Sequence, residues 1–381
     1  MVHHPFDELT EADLRRRQSA KWRVFPSDVL PMWVAEMDYP VAGPIRRALH
    51  DAIDVDDLGY ADPRGLGTAF ARFAARRWGW AVDPAHVTVA CDVVTAMGEL
   101  LEVLTEPGDR VVIDPPVYPP FAGTVRKHGR VVVETPLVDR RLDLVAIERA
   151  YAAGARVHLL CSPHNPSGTV PSRDELARIA ALAARHDVIV LSDEIHAPLT
   201  YPGATHVPFP TASPEAAENA IVLASASKAW NLAGLKASVI VASSDKTRAL
   251  VGRLPADLPY HAGHLGVLGA RAAFEECEPW LDQTIAILDR NRMLLVDLLA
   301  EHLPAVEYTP PSAGYLAWLD CRALGLGDDP ARAFLERGRV ALSQGPTFGT
   351  QGKGFARLNL ATTRSLLEEG VRRMATAVRK T

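Results

Sequence analysis

The stretch AIVLASASKAWNLAGLK, residues 220–236, decides how the rest of the chain is read. It opens on a continuous apolar run and then places Lys228 among serines and alanines directly after it. Apolar runs without alternation mark strands buried on both faces. A lysine delivered by the end of such a strand must desolvate its ammonium, which is costly unless the charge is paired or lost. Structural lysines avoid such places. An amine that must act as a nucleophile needs one, because desolvation and nearby cations lower its pKa.

Working outward, the same pattern recurs. Short β-branched runs are followed by a polar or Gly/Pro-rich turn and then, in most cases, by an amphipathic stretch. The runs are VTVA from Val87, RVVID from Arg110, RVVVET from Arg130, VHLLCS from Val157, VIVLSD from Val188, AIVLAS from Ala220 and ASVIVAS from Ala237. Interleaved helical stretches such as DELARIAALAARH imply crossover connections and a mostly parallel sheet. The expected fold is α/β: a large domain over residues 46–280 with a mostly parallel seven-stranded sheet flanked by helices. Glu278 to His302 reads as one long amphipathic helix leaving that domain. Short strand-like pieces, YLAWLDC and FARLNLA, and a final helix come after it. Residues 1–45, rich in proline, are expected to join residues 281–381 in a smaller α+β domain.

With 381 residues, 48% hydrophobic and 23% charged, the chain has the composition of a soluble globular protein. A formal net charge of −5 gives no bulk attraction to nucleic acid. Cys91, Cys161, Cys277 and Cys321 lack CxxC spacing and read as buried thiols in a reducing compartment. No segment reads as a signal peptide or a membrane span, so the expected location is the cytoplasm. His3 and His4 read as unremarkable terminal residues.

In open α/β sheets, ligands bind beyond the carboxyl ends of the strands. Four of those ends carry chemistry-bearing residues. VHLLCS leads to PHNPSG with Asn165; VIVLSD ends on Asp193, followed by Glu194 and His196; AIVLAS leads to Ser225, Ser227 and Lys228; RVVID leads to PPVYPPF with Tyr118. Taken singly each has an ordinary reading: a turn asparagine, a helix-capping aspartate, a snorkelling lysine, a half-buried aromatic. Their conjunction on one sheet edge makes coincidence a poor account.

These residues resemble a family. NPSG, SDEIH, SASKAWNLAGLK and FARLNL are similar to the signals of fold-type I pyridoxal-phosphate (PLP) enzymes of the class I/II aminotransferase superfamily. LPMWVAEMDYP, DEIHAPL, YLAWLD and FGTQGKGFARLN resemble its cystathionine β-lyase branch, the MalY/PatB-type C–S lyases. The resemblance covers nearly the whole chain and implies the fold of PLP-dependent transferases.

It also implies roles. Lys228 would hold PLP covalently and then act as acid and base at the substrate Cα. Asp193 would keep the ring nitrogen protonated, Asn165 would bond the phenolic oxygen with His196 nearby, and Tyr118 would stack on the ring. The phosphate would be met by the Val93 and Val94 amides at a helix start, by Ser225 and Ser227, and by Lys236, eight residues after Lys228. Many relatives have arginine where Lys236 stands, and lysine binds as a point charge. Asp92 departs from the glycine or serine usual at this turn; an N-cap is its plain reading. Tyr60 matches a tyrosine that reaches the phosphate of a neighbouring subunit, which implies a homodimer with shared active sites.

Arg357 would clamp the substrate carboxylate, with Trp33 and the backbone near Ala35 lining the pocket. LPYHAGHLG places His261 and His264 where relatives have an Asn/Ser/Pro-rich loop; a substrate-facing role and a merely structural one stay equally open. HxxH without a third ligand does not make a metal site. The implied reaction is β-elimination from a cysteine S-conjugate such as cystathionine. Transamination of an L-amino acid needs the same Lys228, Asp193 and Arg357 and remains the alternative. A decarboxylating or oxidative PLP enzyme is a third reading, raised by the altered LPYHAGHLG loop. A role as a protein-binding partner that retains PLP is a fourth, disfavoured by the intact catalytic set. No GxGxxG follows any strand, which disfavours an ordinary dinucleotide binder.

Overall fold

The seven apolar runs form one sheet. In the computed structural model, which describes residues 5–379 and so leaves His3 and His4 outside the described residues, the strands are β1 (Val87–Ala90), β2 (Arg110–Ile113), β3 (Val131–Glu134), β4 (Ala155–Cys161), β5 (Ile189–Asp193), β6 (Ala220–Ala224) and β7 (Ser238–Ala242). Their spatial order is β1-β7-β6-β5-β4-β2-β3.

Strand burial explains why the runs do not alternate. Val111, Ile113, Val157, Leu159, Ile189, Leu191, Ile221 and Leu223 enter one core, and Val112, Leu160, Val190 and Ala220 enter another. Successive side chains point to opposite faces, so a sheet covered on both sides needs apolar residues at every position. Neighbours β3–β2–β4–β5–β6 pair in parallel, whereas β7 runs antiparallel to both β6 and β1. That reversal brings the start of β7 to the edge where the other strands end.

Three helices carry residues of the candidate set: α1 (Val93–Leu104), the single turn α2 (Ala226–Ala229) and α3 (His264–Glu276). A 25-residue helix, Glu278–His302, comes next in the chain. Among the described residues no helix is long and apolar enough to cross a membrane.

The chain divides into two compact units. The larger comprises Val41–His164 and Thr169–Asp282; the smaller comprises residues 5–40, Asn165–Gly168 and residues 283–379. The smaller unit contains an antiparallel sheet of β8 (Glu307–Tyr308), β9 (Leu316–Asp320), β10 (Ser343–Gln344) and β11 (Phe355–Asn359), ordered β10-β11-β9-β8. A two-residue parallel pairing, Leu30–Pro31 with Val340–Ala341, ties the early segment of this unit to the late one.

Candidate active site

In the large unit the site starts from three adjacent parallel strand ends. Register aligns Cys161, Asp193 and Leu223 across β4, β5 and β6. Beyond that line the chain turns out of the sheet, with Ser162 N–H donating to Asp193 O at 2.9 Å and Glu194 N–H to Leu223 O at 2.8 Å. The next residues of each strand therefore emerge side by side.

Asp193 is fully enclosed. Its carboxylate accepts the Ile195 N–H at 3.1 Å, and among the described residues that is its one hydrogen bond. Burial pushes the carboxyl up to about 7; the Ile195 amide and the Lys228 charge pull it down, and Glu194 pushes it up. Glu194 belongs to a separate buried network, with Ser192 Oγ donating to Oε1 at 2.9 Å, Phe209 N–H donating to the same oxygen at 2.8 Å, and His206 Nε2 pairing with Oε2 at 2.9 Å. The two acidic residues are adjacent in sequence and unlike in circumstance.

Lys228 is half-buried on α2, whose cap is Ser225. Ser225 Oγ accepts the Ser227 N–H at 3.0 Å and donates to Ala237 O at 2.7 Å. Its hydroxyl is thus occupied in holding the turn that presents Lys228, while Ser227 is half-buried beside the lysine. His196 is buried and caps the turn Ala197–Leu199, its carbonyl accepting the Leu199 N–H at 3.0 Å.

Tyr118 lies edge-on to Phe121, centroids 6.5 Å apart, against the core beside β2. Four residues before Tyr118, Asp114 anchors a polar chain that the sequence did not disclose. Tyr151 Oη meets His158 Nδ1 at 2.7 Å, His158 Nε2 meets Asp114 Oδ2 at 2.8 Å, and Thr135 Oγ1 donates to Asp114 Oδ1 at 2.7 Å. His164 Nε2 reaches Asp114 O at 3.2 Å. Asp114 was visible only as the polar end of RVVID; its partners come from β4 and from the turns that follow β3 and β4.

Val93 and Val94 open α1, whose first amides have no acceptor within the helix. Its cap is Asp92, which accepts the Thr95 N–H at 2.8 Å and pairs with Lys236 Nζ at 3.1 Å. Lys236 itself adopts the left-handed conformation, φ 61°. α3 packs against its backbone: a Cβ at Gly263 or Gly266 would lie 2.5 or 2.1 Å from Leu235 O. The glycines of LPYHAGHLG thereby explain themselves as contacts with the Leu235–Lys236 turn.

The histidines of that loop have partners of their own. His264 Nε2 lies 2.9 Å from Asp57 Oδ2, and exposed His261 lies 3.6 Å from Asp257 Oδ2. Tyr60 is 88% exposed. Among the described residues no group of three His, Cys, Asp or Glu side chains could hold a metal ion, and all four cysteines are free thiols.

The small unit gathers a second cluster around Arg357, buried on β11. Its guanidinium donates to Asn165 Oδ1 at 3.0 Å, Trp33 O at 3.1 Å and Ser343 Oγ at 3.0 Å, and lies over the Phe348 ring, 4.9 Å from the centroid. Asn359, two residues on and on the same face of the strand, donates to Val34 O at 2.7 Å and Glu36 O at 2.6 Å. Tyr315 Oη donates to Ala35 O at 3.1 Å. Arg357, Asn165 and Trp33 are thus brought into one network, and Ala35, two residues after Trp33, is held separately by Tyr315. Period-two reading of FARLN would have paired Asn359 with Arg357; Ser343 and Tyr315 leave no such trace.

Residues 32–374 match the family described as aminotransferase class I and II. The chain belongs to that family. Within it, this class I and II member is 38% identical to the cystathionine beta-lyase of Corynebacterium glutamicum, covering 98% of this chain and 100% of that protein. It is 36% identical to cystathionine beta-lyase PatB of Bacillus subtilis, covering 95% and 97%. A solved PLP-bound C-S lyase from Staphylococcus hominis superposes with a TM-score of 0.91 at 26% identity, covering 99% of this family member and 100% of that chain.

Proposed function

We propose that the protein is a PLP-dependent carbon–sulfur β-lyase that cleaves cysteine S-conjugates of the cystathionine type to a thiol, pyruvate and ammonia. The observation that carries the cofactor half of the reading is the buried Asp193 carboxylate, which has a single amide donor and feels the Lys228 charge. The choice of β-elimination over transamination rests on the relatives. A buried acid with one amide donor fits a cationic ring N–H, which would restore its charge and complete its hydrogen bonding. Full-length relatedness to cystathionine beta-lyases and to a PLP-bound C-S lyase supports the same reading.

Lys228 would hold the cofactor, Asp193 its ring nitrogen, Asn165 and His196 its phenolic oxygen, and Tyr118 its ring face. The Val93 and Val94 amides, Ser225, Ser227 and Lys236 would surround its phosphate, with Tyr60 supplied by a second copy of the chain. Exposed Ile53, Val55, Leu58, Tyr60 and Tyr260 are the kind of apolar surface a second copy covers, which supports a homodimer. PLP, when bound, draws electrons from the substrate Cα and so makes its proton removable.

Arg357 binds the substrate α-carboxylate, held in place by Asn165 and Ser343, while Trp33 and Ala35 border that carboxylate. His261 or His264 would meet the substrate only by giving up its Asp257 or Asp57 partner, and otherwise serves the loop alone. The Lys228 amine removes the Cα proton. The Cβ–S bond then breaks with its electron pair leaving on sulfur, which takes up a proton as the thiol departs. Water converts the remaining three-carbon fragment to pyruvate and ammonia.

The test is to mix PLP-loaded protein with cystathionine and S-alkyl cysteines, without any 2-oxo acid, and to follow pyruvate and thiol. Continuous release of both is expected. An aminotransferase, the second reading, is favoured by relatives such as the arginine–pyruvate transaminase AruH of Pseudomonas aeruginosa, 29% identical. It would turn over once and stop until a 2-oxo acid was added.

A further inference from the structure

Asp92 stands where the proposed cofactor site puts its phosphate, and it carries the same sign of charge. Its Oδ1 caps α1 through the Thr95 N–H, and its Oδ2 holds the Lys236 ammonium. One carboxylate therefore engages both features that would attract a phosphate: the positive end of a 12-residue helix and the nearby cation.

Strand register sets the two residues opposite each other. β1 and β7 are antiparallel with Ala90 opposite Ser238, a pairing reinforced by Ser238 Oγ donating to Ala90 O at 3.1 Å. Asp92 lies two residues beyond one strand and Lys236 two residues before the other, so the same register continues onto them. Lys236 is further held by the Gly263 N–H donating to its carbonyl at 2.8 Å. Burial raises the Asp92 carboxyl, but the Thr95 amide and Lys236 together keep it below the usual carboxylate range, so it is anionic at neutral pH.

We propose that Asp92 is a resident counter-anion of the phosphate cradle. Lys236 pairs with Asp92 in the cofactor-free chain and transfers to the phosphate on binding, so Asp92 loosens the hold on the cofactor. This rests on the proposed assignment of the cofactor site. A cap-only role predicts otherwise: asparagine and serine cap helices about as well as aspartate, so replacing Asp92 with either would leave cofactor affinity unchanged.

The experiment strips the cofactor from wild type, Asp92→Asn, Asp92→Ser, Lys236→Ala and the Asp92→Asn/Lys236→Ala pair. PLP is then titrated by absorbance and protein fluorescence, and inorganic phosphate by calorimetry. Removing the competing charge is expected to lower the Kd for PLP about tenfold in both Asp92 variants. Inorganic phosphate is expected to follow in the same direction. Lys236→Ala is expected to weaken binding, and to weaken it more in the Asp92→Asn background, where no pair is broken to free the lysine. PLP affinities no tighter than wild type in both Asp92 variants would overturn the proposal, provided wild type still takes up PLP that borohydride fixes onto Lys228. A wild type that takes up no PLP at all would sink the cofactor reading itself, and the inference with it.

Discussion

Asp193 in the large unit and Asp38 in the small unit are both buried carboxylates, and the fold provides for them in opposite ways. Asp38 Oδ2 pairs with Lys21 Nζ at 2.8 Å, Oδ1 accepts the Trp22 indole N–H at 3.0 Å, and Lys21 also donates to Glu36 O at 3.0 Å. The chain supplies its own cation there, in a network that anchors the segment carrying Trp33 and Ala35. Asp193 receives a single amide and lies near a lysine that the proposed chemistry occupies. A buried ion pair completed from within belongs to the architecture. A buried acid left short of donors belongs to a ligand.

That contrast can be broken by substitution. The largest effect is expected at Asp38→Ala, which strands the Lys21 ammonium in the interior and should cost about 3–5 kcal/mol in urea denaturation. Replacing both partners with apolar residues of similar volume should recover most of that. If the single substitution costs under about 1 kcal/mol, the self-sufficient reading of Asp38 fails.

Asp193→Asn should leave the fold intact and lower turnover of an S-conjugate roughly 10²–10³-fold, the size of a lost preorganised charge. Near-normal turnover in that variant would remove Asp193 from the chemistry.

A smaller effect sharpens the comparison through pH. The Asp193 carboxyl is raised from 3.8 to about 7, so between those values the folded chain keeps a proton that the unfolded chain has lost. Stability of the cofactor-free protein is therefore greatest at the acid side of the window and falls as pH rises towards 7. Wild type should lose about 2 kcal/mol more than Asp193→Asn between pH 5 and pH 7, at about 1.4 kcal/mol per unit. Equal slopes would mean that the carboxyl is not raised.

The smallest effect is at Asp92→Ala, which removes the α1 cap and should cost about 1 kcal/mol of stability, read as a shift in the urea midpoint. Asp92→Asn should cost almost none, which separates the cap from the charge.

Much of this was legible along the chain. The runs from Val87, Arg110, Val157, Val188, Ala220 and Ala237 each became a strand of the large sheet, because burial on both faces demands an apolar residue at every position. Lys228, Asp193 and Asn165 stood out because charged or turn-forming residues directly after such runs are conspicuous. The Glu278–His302 helix was readable to its ends from its amphipathic period. The Asp92–Lys236 pair was not readable as a pair. Local pattern carries burial and turn propensity but no strand direction, and it was the antiparallel course of β7 that set the two opposite each other.

The Tyr151–His158–Asp114 chain and the Arg357 network were hidden for a related reason. Hydrogen bonds between residues on different elements, from 7 positions apart for Tyr151 and His158 to 324 for Arg357 and Trp33, leave no mark on local periodicity. By itself the sequence determined which segments are buried and which side chains follow strand ends, since solvation and backbone preference act residue by residue. Only the tertiary structure decided which charges meet, because the energy of a charge pair depends on separation and on the dielectric around it, and chain order encodes neither.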